Sequence, residues 1–216
     1  NEGAYVPLLH TEGRNVDTEE FFEYFKSIIP KSKWIFYNAK YDTEVLYHNG
    51  IEMKSGDDFE DAMLLVCLND SNKAQHNAGL KGAAKNYLKK EMVNFQDVVQ
   101  IRGKRIRPDD EATLFPSVPQ KRAAIYAGSD ALLTLELYRK FEHHKKGRQH
   151  FIYELETKLI DVVRTMERNG IDIDVPYFRT LEARINNSIE SLSREIFTLC
   201  KKPYNSFNLD SGQQVA

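Results

Sequence analysis

The pattern of apolar and polar positions changes near residue 150. Before that point, short apolar runs alternate with amphipathic helical segments, and after it apolar residues recur every three or four positions over long stretches. The first pattern is typical of a layered α/β domain, and the second of long packed helices. We therefore predict one domain over residues 1–147 and a helical region over residues 148–216.

In the first region, two apolar runs predict strands, at residues 4–9 (AYVPLL) and 34–37 (WIFY). The second run is wholly apolar, which favours a strand buried on both faces, with Trp34 and Phe36 in the core. Asp17 and Glu20 fit a capping box that begins a helix, and Pro30 ends it. Further helices are predicted from Asp42 to Gly50 and over residues 57–68, 80–88 and 121–144, with an irregular segment at 91–121.

The second region is predicted to be helical almost throughout. Residues 145–149 read as a basic linker, and residues 151–169 have apolar positions at a helical period that ends at Gly170. A second long helix is predicted over residues 176–199. A turn at residues 205–211 then precedes a third helix.

Composition changes this picture little. The chain has 216 residues, of which 41% are hydrophobic and 29% charged, with a net charge of −2, so local basic stretches matter more than the sum. Its two cysteines show no metal-binding spacing, and no apolar run has the length of a membrane span. We expect a soluble intracellular protein, and the missing initiator Met favours a piece of something longer.

Two carboxylates stand out by their position. Asp42 follows a buried strand in Asn-Ala-Lys-Tyr-Asp, and Asp130 lies four residues after Tyr126, so that phenol and carboxylate share a helix face. Carboxylates can hold divalent metals, and a phenol can orient a metal-bound water, as two-metal phosphodiester hydrolysis requires. An Asp at a helix start is more commonly a cap, however, and these patterns alone leave both interpretations open.

These motifs resemble those of a known family. NAKYD is similar to the second exonuclease motif of family A DNA polymerases, and YAGSD to their third motif. Between them, FEDAMLLVCLND resembles the connecting helix, with Asp61 at its usual acidic position, and HNAGLKGAAKNYL resembles the next helix. Order and spacing agree over residues 4–142. The resemblance implies the α/β, RNase H-like αβα fold of DEDD exonucleases.

The tail also resembles a family A polymerase. LETKLIDVVRTMERNGIDID is similar to the segment after the exonuclease domain, and FNLDSGQQVA to the turn that follows, with Gly212 and Val215 as departures. The resemblance implies that residues 148–216 begin the polymerase domain, with long helices of a thumb region. It favours a proofreading region over a free-standing exonuclease that acts on RNA.

The resemblance implies roles for several residues. Asp130 would be a ligand of the first metal, Asp42 would act on the second metal through water, and Tyr126 would position the attacking water. Asn38 and Tyr41 would contact the 3′-terminal nucleotides. The implied cofactors are two Mg²⁺ or Mn²⁺ ions. The implied partners are DNA, as a single-stranded 3′ end or primer–template, and the remainder of the polymerase. The expected location is the cytoplasm of a bacterium or phage-infected cell, with an organelle still open.

Basic residues outside the motifs are candidate substrate contacts. Arg102 and Arg105 belong to a basic run in an irregular segment, which favours nucleic-acid contact. His76 is a candidate to approach substrate, with a generic surface role as the alternative. Lysines at positions 81, 85, 89 and 90 form a basic helix face that is either solvated or in contact with DNA.

The family's first motif, Asp-x-Glu, is not found where it is expected. Asp17-Thr18-Glu19 has the right letters, but it lies downstream of residues 4–9, lacks a preceding apolar strand and fits a helix cap. We expect the true motif upstream, and little activity from the isolated chain. The alternative is a silent domain that has lost the motif and binds DNA or braces the polymerase.

Overall fold

The structure is a computed structural model, and it describes residues 3–69, 79–99 and 114–215. The chain divides into two compact units, Asn1–Arg168 and Asn169–Ala216. The helix that begins at Gly147 therefore lies almost entirely in the first unit. The functional boundary expected between residues 147 and 148 remains a prediction.

The described part of the chain is mostly helical, with one two-stranded parallel sheet made of β1 (Trp34–Phe36) and β2 (Phe59–Asp61). The α-helices are α1 (Thr18–Ile28), α2 (Ala39–His48), α3 (Ala62–Asn69), α4 (Leu80–Ala83), α5 (Phe95–Val98), α6 (Gln120–Phe141), α7 (Gly147–Asn169), α8 (Val175–Leu199) and α9 (Gly212–Val215). Short 3₁₀ turns occupy Ile29–Lys31, Phe115–Ser117 and Glu142–His144, and a π-helical stretch, Ala84–Leu88, continues α4.

The sheet is small, and β2 is a correction to the sequence prediction. Residues 57–68 were expected to form one helix, but Phe59 pairs with Trp34 and Asp61 with Phe36 in parallel register before α3 begins. All three residues of β2 are buried. Pairing with a strand more than twenty residues away decides this conformation, and such pairing leaves no local pattern in so short a segment.

Residues 4–9 do not form the predicted strand. Pro7 has no N–H to donate to a neighbouring strand, and its carbonyl instead accepts the backbone N–H of Val16 at 2.8 Å. Tyr5 packs into an apolar cluster with Val118 and Tyr126. The apolar run is therefore anchored by side-chain burial and a local loop rather than by strand pairing.

Two larger apolar clusters form the core of the first unit. One includes Phe59, Met53 and Ile51 and receives Trp34, whose ring centroid lies 4.7 Å from that of Phe25. Trp34 and Phe36 therefore pack against the core as predicted, but β1 is only partly buried rather than buried on both faces. The other cluster joins α3, α6 and α7 through buried residues, among them Leu65, Val66, Leu137, Phe141 and Tyr153.

The long helices are close to their predicted bounds. The predicted basic linker at residues 145–149 is wrong in part, because α7 already begins at Gly147. In the second unit, Asp174 caps α8 by accepting the N–H of Tyr177 at 2.9 Å, and Phe197 packs against Tyr204. No described helix has the length and apolar character to cross a membrane.

Candidate functional site

Asp42 lies in the first turns of α2, directly after β1. Its side chain is partly buried. Burial, together with the nearby charge of Asp61, raises the pKa of Asp42 to about 6. A nearby cation would stabilise the charged form of a carboxyl group in this environment.

Asn38 and Tyr41 flank Asp42 on the exposed side of the same turn. Asn38 adopts a left-handed conformation, with φ 66° and ψ 56°, and its side chain makes no capping hydrogen bond to α2. Tyr41 is 68% exposed. The β1–α2 turn therefore presents an amide and an aromatic ring to solvent next to a perturbed carboxyl group.

Asp130 and Tyr126 lie on one face of α6, as predicted. Tyr126 packs against the rings of Phe95 and Phe115, with centroid distances of 6.1 and 6.2 Å. Burial raises the pKa of Asp130 to about 6, against the opposing effect of the positive charge of Lys81. Its Oδ1 atom is buried and has no hydrogen-bond partner among the residues that the structure describes. An orphaned carboxylate oxygen is costly to bury, so this atom fits a metal ligand better than a structural cap.

Lys81 lies beside Tyr126, a contact that the sequence did not predict. Its Nζ lies 5.5 Å from the ring centroid of Tyr126, and the side chain is partly buried. The prediction treated Lys81 as one member of a basic face, but Lys90 pairs with Glu136 at 2.6 Å instead. The surroundings of the two lysines differ because α4 packs against α6, and a local sequence pattern does not reveal that packing.

The helices that carry the two carboxylates, α2 and α6, both pack against β1. Within residues 3–69, 79–99 and 114–215, no group of three or more His, Cys, Asp or Glu side chains is arranged to hold a metal ion. Asp42 and Asp130 are nevertheless hard oxygen donors of the kind that Mg²⁺ and Mn²⁺ prefer. The candidates His76, Arg102 and Arg105 lie outside the described residues.

Asp17 is a helix cap. Its Oδ1 accepts the backbone N–H of Glu20 at 2.9 Å at the start of α1. The prediction that Asp17-Thr18-Glu19 is a helix N-terminus is therefore confirmed, and its carboxylate is already used by the backbone.

A second buried carboxylate, Glu60, lies beside Asp61 on β2. Burial alone would raise its pKa, but hydrogen bonds from Lys145, Lys33 and Tyr138 lower it to about 2. The Tyr138 hydroxyl donates to Glu60 at 2.7 Å, and Lys33 pairs with it at 2.5 Å. The contacts around Glu60 border a cavity of about 350 Å³. Because they compensate the charge of Glu60, they anchor β2 rather than leave a reactive group.

Comparison with known proteins gives a consistent result. The profile of a 3′-5′ exonuclease family matches residues 1–145. The DNA polymerase I of Chloroflexus aurantiacus is 30% identical over 219 residues, which cover 98% of this chain and 21% of that protein. The DNA polymerase I of Pseudomonas aeruginosa is 24% identical over 222 residues, with 99% and 23% covered. The thermostable DNA polymerase I of Thermus thermophilus is 32% identical over 92 residues, 41% of this chain and 11% of that protein. The chain spans about a fifth of the length of the first two relatives.

Proposed function

Because the chain belongs to the 3′-5′ exonuclease family of DNA polymerase I, we propose that it removes mismatched 3′-terminal nucleotides during DNA synthesis. The observation that carries this proposal is the buried Oδ1 of Asp130, which has no hydrogen-bond partner in the described ranges and lies on the same helix face as Tyr126. Structural carboxylates in this fold, such as Asp17 and Glu60, have their hydrogen bonds satisfied. Within the described part of the chain, Oδ1 of Asp130 has no such partner, as expected of a group that binds a cation.

The roles of the residues follow from their chemistry. Asp130 and Asp42 would hold divalent cations, which supply an activated water and stabilise charge on the leaving oxygen when bound. The hydroxyl of Tyr126 would orient the attacking water. Asn38 and Tyr41 would hold the frayed 3′ end through polar contact and stacking, so sequence preference should be slight.

The wider assignment is also a proposal. The first 147 residues would form the RNase H-like exonuclease domain, and residues 148–216 would begin the polymerase domain with helices of its thumb region. DNA, as a single-stranded 3′ end or primer–template, and the remainder of the polymerase would be the partners. The relatives compared above are bacterial, which supports a location in the cytoplasm of a bacterium or of a phage-infected cell.

The test uses the full-length polypeptide that contains this chain. A 3′-mismatched, end-labelled primer is incubated with Mg²⁺, and shortening is followed for the wild type and for Asp130→Ala, with Asp172→Ala as an exposed control. We expect shortening by the wild type and the control, and its loss in Asp130→Ala. Equal shortening by all three proteins would refute the role of Asp130.

The same assay separates the alternative of a silent brace. A brace predicts that the wild type leaves the mismatched primer intact while still binding it. It also gives no reason for a carboxylate oxygen to be buried without a partner in the described residues, and so the exonuclease is the better supported proposal.

A further inference from the structure

Asp61, the last residue of β2, is only 2% exposed and uses both carboxylate oxygens. Oδ1 accepts the backbone N–H groups of Asn38 at 3.1 Å and Met63 at 2.8 Å, and Oδ2 accepts that of Ala39 at 2.8 Å. Asn38 and Ala39 begin α2, whereas Met63 lies in the first turn of α3. One carboxylate therefore caps two helices at once.

The start of α2 requires a cap from elsewhere. The first N–H groups of a helix have no partner within it, and the left-handed Asn38 does not supply one from its own side chain. Asp61 faces Phe36 in the parallel register, so it lies at the end of β1 where the chain turns into α2. Its negative charge also suits the positive end of the helix dipole.

The backbone of Asp61 is itself held firmly. Its N–H donates to the hydroxyl of Tyr153 at 3.0 Å, and that hydroxyl donates to the carbonyl of Asp61 at 3.3 Å. Tyr153 is 4% exposed and belongs to the core cluster between α3, α6 and α7. The backbone of the capping residue Asp61 is therefore fixed by a buried side chain.

We propose that Asp61 is a positioning residue for the candidate site, whose carboxylate fixes the β1–α2 turn and with it the side chains of Asn38, Tyr41 and Asp42. Ala39, which Asp61 caps, lies three residues before Asp42, so a change in the turn reorients the carboxylate. The predicted effect on hydrolysis rests on the proposed function.

Two variants of the full-length polypeptide test this role. Asp61→Asn keeps the shape but replaces one acceptor oxygen with a donor, which faces a backbone N–H. Asp61→Ser keeps one short acceptor that can still cap Met63, whereas the N–H groups of Asn38 and Ala39 lose theirs. Asp58→Asn is the matched control, since Asp58 also accepts a backbone N–H, that of Lys54 at 2.7 Å, but does not bond to α2.

We expect both Asp61 variants to lower the rate of 3′-end hydrolysis by roughly 10- to 100-fold, as loss of supporting hydrogen bonds at metal sites does. The Mg²⁺ concentration for half-maximal rate should rise. Hydrogen–deuterium exchange should accelerate in peptides that cover residues 37–42, but not in those from α6. Asp58→Asn should change none of these, and primer extension by the same molecules checks that they are folded.

The inference is overturned if exchange at residues 37–42 is unchanged in both Asp61 variants, or if exchange in α6 rises as much as it does at residues 37–42. A normal rate and Mg²⁺ dependence in both variants would also overturn it. If the wild type shows no hydrolysis that depends on Asp130, the proposed function fails by itself. The exchange measurement then still decides whether Asp61 fixes the start of α2.

Discussion

Replacing Asp130 by Asn should stabilise the metal-free protein while it abolishes hydrolysis. Burial raises the pKa of Asp130 from 3.8 to about 6, so ionising it costs more in the folded chain than in the unfolded chain. A shift of about two pH units corresponds to at most about 3 kcal/mol. Water reaches part of the side chain and screens its charge, so we expect roughly half of that.

The sign gives a specific pH profile. The folded state holds the Asp130 proton more tightly, so the wild-type contribution is most favourable below pH 4, declines as the pH rises towards about 6, and stays constant above that. Asn at this position does not ionise. The variant should therefore match the wild type near pH 4 and exceed its free energy of unfolding by about 1.5 kcal/mol at pH 7.5, or roughly 3–6 °C in Tm.

The assay is urea denaturation in EDTA at pH 4, 5, 6 and 7.5, followed by circular dichroism. Asp172→Asn is the control, because Asp172 is exposed. Asp42 titrates in both proteins, so its contribution cancels in the comparison. A variant that is destabilised at pH 7.5, or a difference that is the same at every pH, would refute the reasoning that Asp130 is buried without compensation.

Three further predictions follow from single contacts. Asp17→Ala should lower the free energy of unfolding by about 1 kcal/mol through loss of the α1 cap, yet leave the exonuclease rate of the full-length protein unchanged; a lost rate would make Asp17 a catalytic ligand. Asn38→Ala should destabilise by about 1 kcal/mol in urea because of the left-handed backbone, whereas Asn38→Gly should destabilise less, and both should raise KM for the 3′ end; equal stability of the two would contradict this. Arg164→Met should cost roughly 3 kcal/mol, since Arg164 is 3% exposed and donates to the carbonyl of Met53 at 3.1 Å; an unchanged midpoint in a thermal melt would show that these contacts contribute nothing net.

Sequence periodicity predicted the elements whose signals are local and repeated. Strand β1 and helices α2 and α6 lie where apolar spacing placed them, and the cap at Asp17 could be read from its neighbours. Strand β2 was missed because its three residues run directly into an apolar helix and gain their conformation from β1. Residues 4–9 had strand composition, but Pro7 removes a donor that strand pairing needs.

The candidate site could be predicted only in part, for a similar reason. Asp42 and Asp130 are predicted as site residues only through the resemblance of their motifs to a known family, because each looks like an ordinary helix carboxylate in its local pattern. What sets them apart is burial and the charges of Asp61 and Lys81, which come from other elements of the fold. The double cap at Asp61 joins segments more than twenty residues apart, and no local pattern encodes it.

Helix α7 limits how this protein can be divided. The sequence predicted that a second domain begins at residue 148, close to the start of α7. In the structure, however, Tyr153 on α7 accepts the backbone N–H of Asp61 on β2. Arg164 donates to the carbonyls of Met53 and Thr43 at 3.1 and 3.4 Å. A nuclease fragment cut at residue 147 would lose both supports, whereas one that ends at Arg168 would keep them. Recombination with related sequences should therefore tolerate a crossover after α7 far better than one before it.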